Sequence, residues 1–265
     1  MRRFALSGGA LCLGVLAACG GGGESTDLEP AFLPAEQEQE QELIPDDPDQ
    51  VRVVKLNDTG VVWGGSFPRG KNASCIGETI SQQDCSLGRD LAYSDDGVGH
   101  AGFDFTKLDA EGKALGAQAT QWHCVQDNVT GLVWEIKTKD GSLHDNKNTY
   151  RWGGVGADRY AIEFYPDWDE LVKGSNTEAL CGFSDWRVPR VDELINIVNF
   201  NTINPSIDED YFPNTNFVDG SSGYWSVSAN AEASVFAQHV SFDDGSMGPV
   251  HRNGAEFVRL VRGMK

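Results

Sequence analysis

Residues able to do chemistry are plentiful in this chain, yet few stand at the spacings that chemistry requires. The five histidines are isolated in sequence. No HExxH, GxSxG or SxxK string occurs, so neither a zinc-protease helix nor a serine nucleophile with its base is written here. Gly97, Gly99 and Gly102 match GxGxxG. A dinucleotide site needs a strand before that string and a helix after it, so that backbone amides meet the pyrophosphate. Tyr93-Ser94-Asp95-Asp96 reads instead as a turn, and Phe103-Asp104-Phe105-Thr106 alternates like a strand. Glycoside hydrolysis needs two carboxyl groups about 5–10 Å apart, but with 40 acidic residues such a pair carries little information. Asp95 and Asp96 with nearby carbonyls suggest a cup for calcium, without the spaced acids and closing glutamate of an EF-hand. Asp208-Glu209-Asp210 and Asp243-Asp244 read as solvated acidic turns. No cofactor is expected, calcium being the one conceivable ion.

Cysteine usage points to an oxidising compartment. Of six cysteines, Cys12 and Cys19 lie in the N-terminal segment, leaving Cys75, Cys85, Cys124 and Cys181. Three pairings are possible. The expectation is Cys75–Cys85 with Cys124–Cys181, because the first two share one local loop. The chain-entropy account gives roughly 3 kcal/mol for the short loop and about 4 for the long one. Zinc would need close CxxC pairs, and there are none.

The N-terminus explains that compartment. Arg2 and Arg3 precede a small-residue apolar run ending in Leu16-Ala17-Ala18-Cys19 and four glycines. The run is shorter than the about 20 apolar residues a membrane span needs, and suits a signal segment at 1–18. Leu-Ala-Ala-Cys resembles the bacterial lipobox, which implies a diacylglyceryl thioether (and palmitate-type acylation) at Cys19. Gly20 is not the aspartate that holds such proteins at the inner membrane, so the resemblance favours the outer membrane. Residues 19–50 contain no Lys or Arg and are rich in Glu, Gln, Asp and Pro. They read as a disordered acidic tether, self-repelling and extended.

The formal charge is −19. That argues against nucleic acid and against binding polyanions through overall charge. Arg252, Arg259, Arg262 and Lys265 cluster near the C-terminus and read as scattered solvated charges.

The elements that would position any site are short. Strands are expected at 51–56, 132–136, 224–228, 235–242 and 256–261 from β-branched and aromatic content. One helix is expected at 167–173. Another, at 191–199 after Pro189, places Val191, Leu194, Ile195 and Val198 on one face. Two short helices with several antiparallel strands make the class α+β. Thr59-Gly60-Val61-Val62-Trp63 echoes Thr130-Gly131-Leu132-Val133-Trp134, a turn leading to a strand that buries a tryptophan.

The second half resembles the Lcl C-terminal domain family, named after a collagen-like bacterial adhesin. The strings are VQDNVTGLVWE from Val125, CGFSDWRVPRVDEL from Cys181, GYWSVS from Gly223, HVSFDDGSM from His239 and EFVRLVRG from Glu256. The resemblance implies a C-type-lectin-like α+β domain at 122–265, preceded by a small β-rich extension at 51–121. Trp134, Trp186, Arg187, Trp225 and Arg259 are then structural: the tryptophans in the core, Arg259 facing away from Val258 and Leu260 and pairing with an acid such as Asp185. Relatives usually have Thr or Ser where Arg190 stands, so the second helix should start without its cap, a loss of about 1 kcal/mol if nothing replaces it. Sugar-binding C-type lectins use EPN or QPN with WND on calcium, and neither occurs. Formylglycine-generating enzymes share the DWRVP-like string but use late cysteines, and none follows Cys181.

The expected function is a non-enzymatic, lipid-anchored binding or adhesion module of the cell envelope, recognising a polysaccharide or another envelope component. The alternatives are an envelope enzyme acting on glycans and a structural partner in a lipoprotein complex. A lectin-like fold would place the binding surface in the loops at 202–223. Tyr211, Phe212 and Phe217 are its apolar candidates, with Asn214 and Asn216 as polar neighbours; the competing reading is that these aromatics plug the core beneath the loop.

Overall fold

The computed structural model describes residues 55–65, 83–91, 97–153, 168–217 and 223–263. All of them belong to one compact unit, Arg52–Lys265. The leader, Cys19, the tether, Asp95, Asp96 and Cys75 lie outside the described residues, and with Cys75 the expected Cys75–Cys85 pair. So does most of the strand expected at 51–56; Lys55 and Leu56 have no strand structure.

Two antiparallel sheets form the frame. The first runs β1 (Phe105–Leu108), β2 (Cys124–Asp127), β3 (Val133–Glu135) and β7 (Val261–Arg262), in the order β1-β2-β3-β7. The second holds β4 (Tyr224–Ala229), β5 (Phe236–Val240) and β6 (Met247–His251), in that order. Helices α1 (Asp169–Thr177) and α2 (Val191–Ile195) lie between β3 and β4 in the chain. The class is α+β, as expected.

The β2–β3 hairpin follows from local chemistry. Asp127 accepts the N–H groups of Val129 (3.0 Å) and Thr130 (3.2 Å) and the Thr130 hydroxyl (2.6 Å). Gly131 takes φ 77°, a left-handed backbone that strains any residue with a Cβ. The echo at Thr59-Gly60 shares two features of this turn: Gly60 has φ 78°, and Thr59 Oγ1 accepts the Val61 N–H at 3.3 Å as Thr130 Oγ1 accepts that of Leu132 at 3.3 Å. There the likeness ends. Trp134 is fully buried, Trp63 is half-buried, and no strand follows Gly60 in residues 61–65.

Val133 packs into one apolar cluster and Trp134 into another, on opposite faces of β3. Both faces are covered, which is why Leu132-Val133-Trp134 shows no polar alternation. Cys124 of β2 is bonded to Cys181, just past α1, with Cα atoms 6.4 Å apart. The disulfide ties the helical segment to the first sheet, as the sequence led one to expect.

Helix α2 is shorter than its apolar spacing suggests, continuing as a turn only through Ile197. Its face is as read: Leu194 and Val198 are in the core, with Val191 and Ile195 packed against it. The missing cap is replaced from two sides. Glu193 accepts the Arg190 N–H at 2.8 Å, and the Ser228 hydroxyl of β4 accepts the Val191 N–H at 3.1 Å. Arg187 grips the same Glu193 with both terminal nitrogens at 2.7 Å, pinning the DWRVP loop to the helix.

The expected Arg259–Asp185 pair is not formed. Asp185 pairs with Arg262, at 2.9 and 3.1 Å. Arg259 is 0% exposed; it donates to Thr215 Oγ1 (2.8 Å) and lies 5.1–5.6 Å from the rings of Phe212, Tyr224 and Phe242. Burial lowers its pKa. The C-terminal basic residues are therefore not a set of solvated charges: Arg252 packs on the Trp152 ring and Arg259 is in the core.

Strand β6 is an edge. Met247, Pro249 and His251 are its exposed residues, and Pro249 removes one backbone N–H from the strand.

Candidate functional site

Residues 199–210 run as an irregular loop between α2 and β4. Its shape comes from backbone groups satisfied by the β5–β6 turn. Asn204 N–H donates to Asp243 O and Ser206 N–H to Phe242 O, both at 2.7 Å. Asn204 has φ 56°, and the Asn204–Pro205 peptide is cis. Ile207 anchors the loop in the core, and Ser206 Oγ closes it by donating to Thr202 O at 2.7 Å. Together with His100 the loop encloses an open cleft of about 510 Å³, lined by His100, Asn199, residues 202–205 and residues 207–210.

The cleft has a definite chemistry. Asp208 Oδ2 accepts the His100 N–H at 3.1 Å and Oδ1 accepts the Asp210 N–H at 3.0 Å. Burial pushes the Asp208 carboxyl above the usual range, with these hydrogen bonds opposing it. Glu209 and Asp210 are exposed beside it, and no Lys or Arg is among the described lining residues. Ile203 is 69% exposed and supplies an apolar patch. Carboxylates, carboxamides, a threonine hydroxyl, an aliphatic side chain and a flat imidazole suit a neutral, hydroxyl-rich ligand better than an anion.

A smaller hollow of about 200 Å³ adjoins at Asp210 and Tyr211. Its cation is engaged within the chain. Lys107 Nζ donates to Ala117 O (3.0 Å) and Ala119 O (3.1 Å) and sits 3.9 Å from the Trp122 ring.

Two of the histidines, isolated in sequence, find carboxylates in space. His144 Nδ1 is 2.7 Å from Glu135 Oε1, and its Nε2 bonds Glu178 beyond the C-terminus of α1. Glu135 is 0% exposed and also takes Lys137 Nζ (2.9 Å) and the Leu260 N–H (2.7 Å). Burial alone would raise the Glu135 carboxyl. Lys137, His144 and the Leu260 amide outweigh it and hold the group at about 2. Burial opposes the charged form of His144 as well, but its two carboxylate partners raise its pKa. Both ring nitrogens are engaged, so this imidazole locks structure and is not placed to shuttle protons. His239 Nδ1 lies 3.3 Å from Glu256 Oε2, which also accepts the Gly223 N–H. No sequence pattern flags these pairs, because the partners come together only through the sheets and the end of α1.

The sequence-derived binding residues divide. Tyr211 and Phe212 are in the core, at 3% and 0% exposure, so the plug reading holds for both. They pack on Phe105 with ring centroids 5.4 and 5.2 Å away, and the Tyr211 hydroxyl donates to Gly97 O at 2.9 Å. Phe217 is half-buried. Asn214 and Asn216 use their amides on the chain itself, donating to Lys137 O and Asn146 O at 3.0 Å. The cleft lies in the expected loop, on its earlier residues: Ile203 and the acids face out where the aromatics face in. Trp134, Trp186 and Trp225 are core, as expected. Among the described residues no group of three or more His, Cys, Asp or Glu side chains is arranged to hold a metal ion. No described helix is long and apolar enough to cross a membrane.

No curated protein and no solved structure matched the chain. The Lcl C-terminal domain family matches residues 123–262, a span that contains α1, α2, six of the seven described strands and every described cleft residue except His100. With more than half its length inside that match, the chain belongs to the Lcl C-terminal domain family.

Proposed function

We propose that this is a lipid-anchored binding module of the cell envelope, with a C-type-lectin-like domain that holds a neutral polysaccharide in the acidic cleft. The single observation behind the ligand class is the cleft lining: Asp208, Glu209 and Asp210 with Ile203 and His100, and no basic side chain among the described residues. Carboxylates accept hydrogen bonds from sugar hydroxyls, and apolar surface meets the C–H face of a sugar ring. Sulfated or uronic glycans would meet like charge. The leader and lipobox-like string support anchoring at Cys19, with the outer membrane favoured, and the acidic tether supports display at a distance. On this reading the domain binds without turnover.

A glycan array probed with the full chain, with and without calcium, tests the ligand class. Neutral glycans should be retained and sulfated ones not; selective capture of sulfated glycans would overturn it. Cys19→Ser should abolish membrane retention, because serine cannot form the thioether. Radiolabelled fatty acid on that variant would refute the anchor. The second reading, an enzyme acting on glycans, draws on His239, an imidazole held by Glu256 as a general base would be. Release of reducing ends by the wild type that disappears in His239→Ala would establish it.

A further inference from the structure

The cleft loop is clamped at both ends by residues that precede the family domain. At its start, Phe200 N–H donates to Thr59 O at 2.9 Å. Just before that, Asn57 Nδ2 donates to Asn196 O (3.0 Å) and to Asp127 Oδ2 (2.6 Å). At its end, His100 N–H donates to Asp208 Oδ2 at 3.1 Å, and the Tyr211 hydroxyl donates to Gly97 O at 2.9 Å. Asn57, Thr59, Gly97 and His100 all lie outside residues 123–262. Among the described lining residues His100 alone comes from outside that span, and its Nε2 lies 3.4 Å from Asn201 Nδ2 of the loop.

We propose that the extension is an integral wall of the binding cleft, with His100 as the specificity-determining side chain that contacts the ligand. The proposal rests on reading the cleft as a glycan site. The family domain supplies acceptors on a loop; the extension fixes the loop's two ends and adds a flat ring. That ring and exposed Ile203 give a pyranose apolar surface to lie against, while the carboxylates take its hydroxyls. Tyr211, whose hydroxyl reaches Gly97, is a positioning residue: it holds loop to wall and does not touch the ligand.

The test uses the full chain in detergent and three neutral hexasaccharides, of glucose, N-acetylglucosamine and mannose. Affinity is measured by calorimetry alongside thermal stability. His100→Ala should weaken the best-bound hexasaccharide tenfold or more and flatten the ranking of the three, at unchanged melting temperature. His100→Tyr, which keeps a flat ring, should restore affinity to within about threefold. Tyr211→Phe should weaken all three alike without changing their ranking. If Ile203→Ser destroys binding while His100→Ala keeps both affinity and ranking, the loop binds without the wall and this inference alone fails. If the wild type binds none of the three, the cleft reading fails and the wall falls with it.

Discussion

Two regions of the molecule handle negative charge in opposite ways. Around Glu135 a fully buried carboxylate is met by Lys137, His144 and a backbone amide, and His144 is met in turn by Glu178. In the cleft, Asp208, Glu209 and Asp210 stand side by side with no cation among the described lining residues. A buried carboxylate persists only when it is paired or hydrogen-bonded. Carboxylates left next to one another persist where water reaches them, and there they are available to something from outside. The first region is therefore read as architecture and the second as recognition.

The comparison breaks most sharply at Glu135. Glu135→Ala leaves Lys137 and His144 in the core without their shared partner, and the loss should be about 3–5 kcal/mol. Chemical denaturation measures it; a loss under about 1 kcal/mol would mean the cluster is not architecture.

Next in size is the disulfide. Cys124 stands opposite Glu135 in the β2–β3 register, and Cys181 follows Glu178 by three residues, so the bond and the ion cluster tie the same two pieces of chain. Cys124→Ser with Cys181→Ser should cost about 4 kcal/mol on the chain-entropy account. A cost far below that, in a variant whose Glu135 cluster is intact, would show that the ion cluster already holds the two pieces together.

The pH dependence has two edges. Glu135 is held at about 2 against an ordinary 4.5, so its contribution is full above 4.5 and is lost as pH falls from there through 2. His144 is raised above 6.5, so its contribution is full below 6.5 and is lost as pH rises through the higher folded value. Melting temperature should peak between the two, and His144→Gln should remove the alkaline decline selectively. An unchanged alkaline limb in that variant would assign the decline to another group.

The smallest effect belongs to the cleft. Glu209→Gln should change stability by less than about 0.5 kcal/mol while lowering affinity for neutral glycans. A large stability change would move Glu209 from recognition to architecture.

The sequence made the second half legible because its elements have local causes. The Asp127–Gly131 turn, the apolar face from Val191 to Val198 and the β4 and β5 strings all form as their residues suggest. Strand β1 was half visible in the alternation at Phe103–Thr106. Strand β2, VQD between polar neighbours, and β6, which contains Gly248 and Pro249, carry weak strand signals. The helix cap was legible only as a loss, because its replacement, Ser228, lies 37 residues away. The site was legible as a loop and illegible as residues. Burial decides whether Tyr211 faces in or out, and burial depends on Phe105, more than a hundred residues earlier.

Pro249 has a bearing on life at a crowded surface. Molecules anchored side by side meet at high local concentration, and the free margin of a sheet invites a neighbour's strand to add to it. With a proline in the middle of β6, the ladder such a neighbour would extend lacks a donor at that position. On the membrane anchoring proposed above, neighbouring copies should therefore stay separate instead of zipping into fibres.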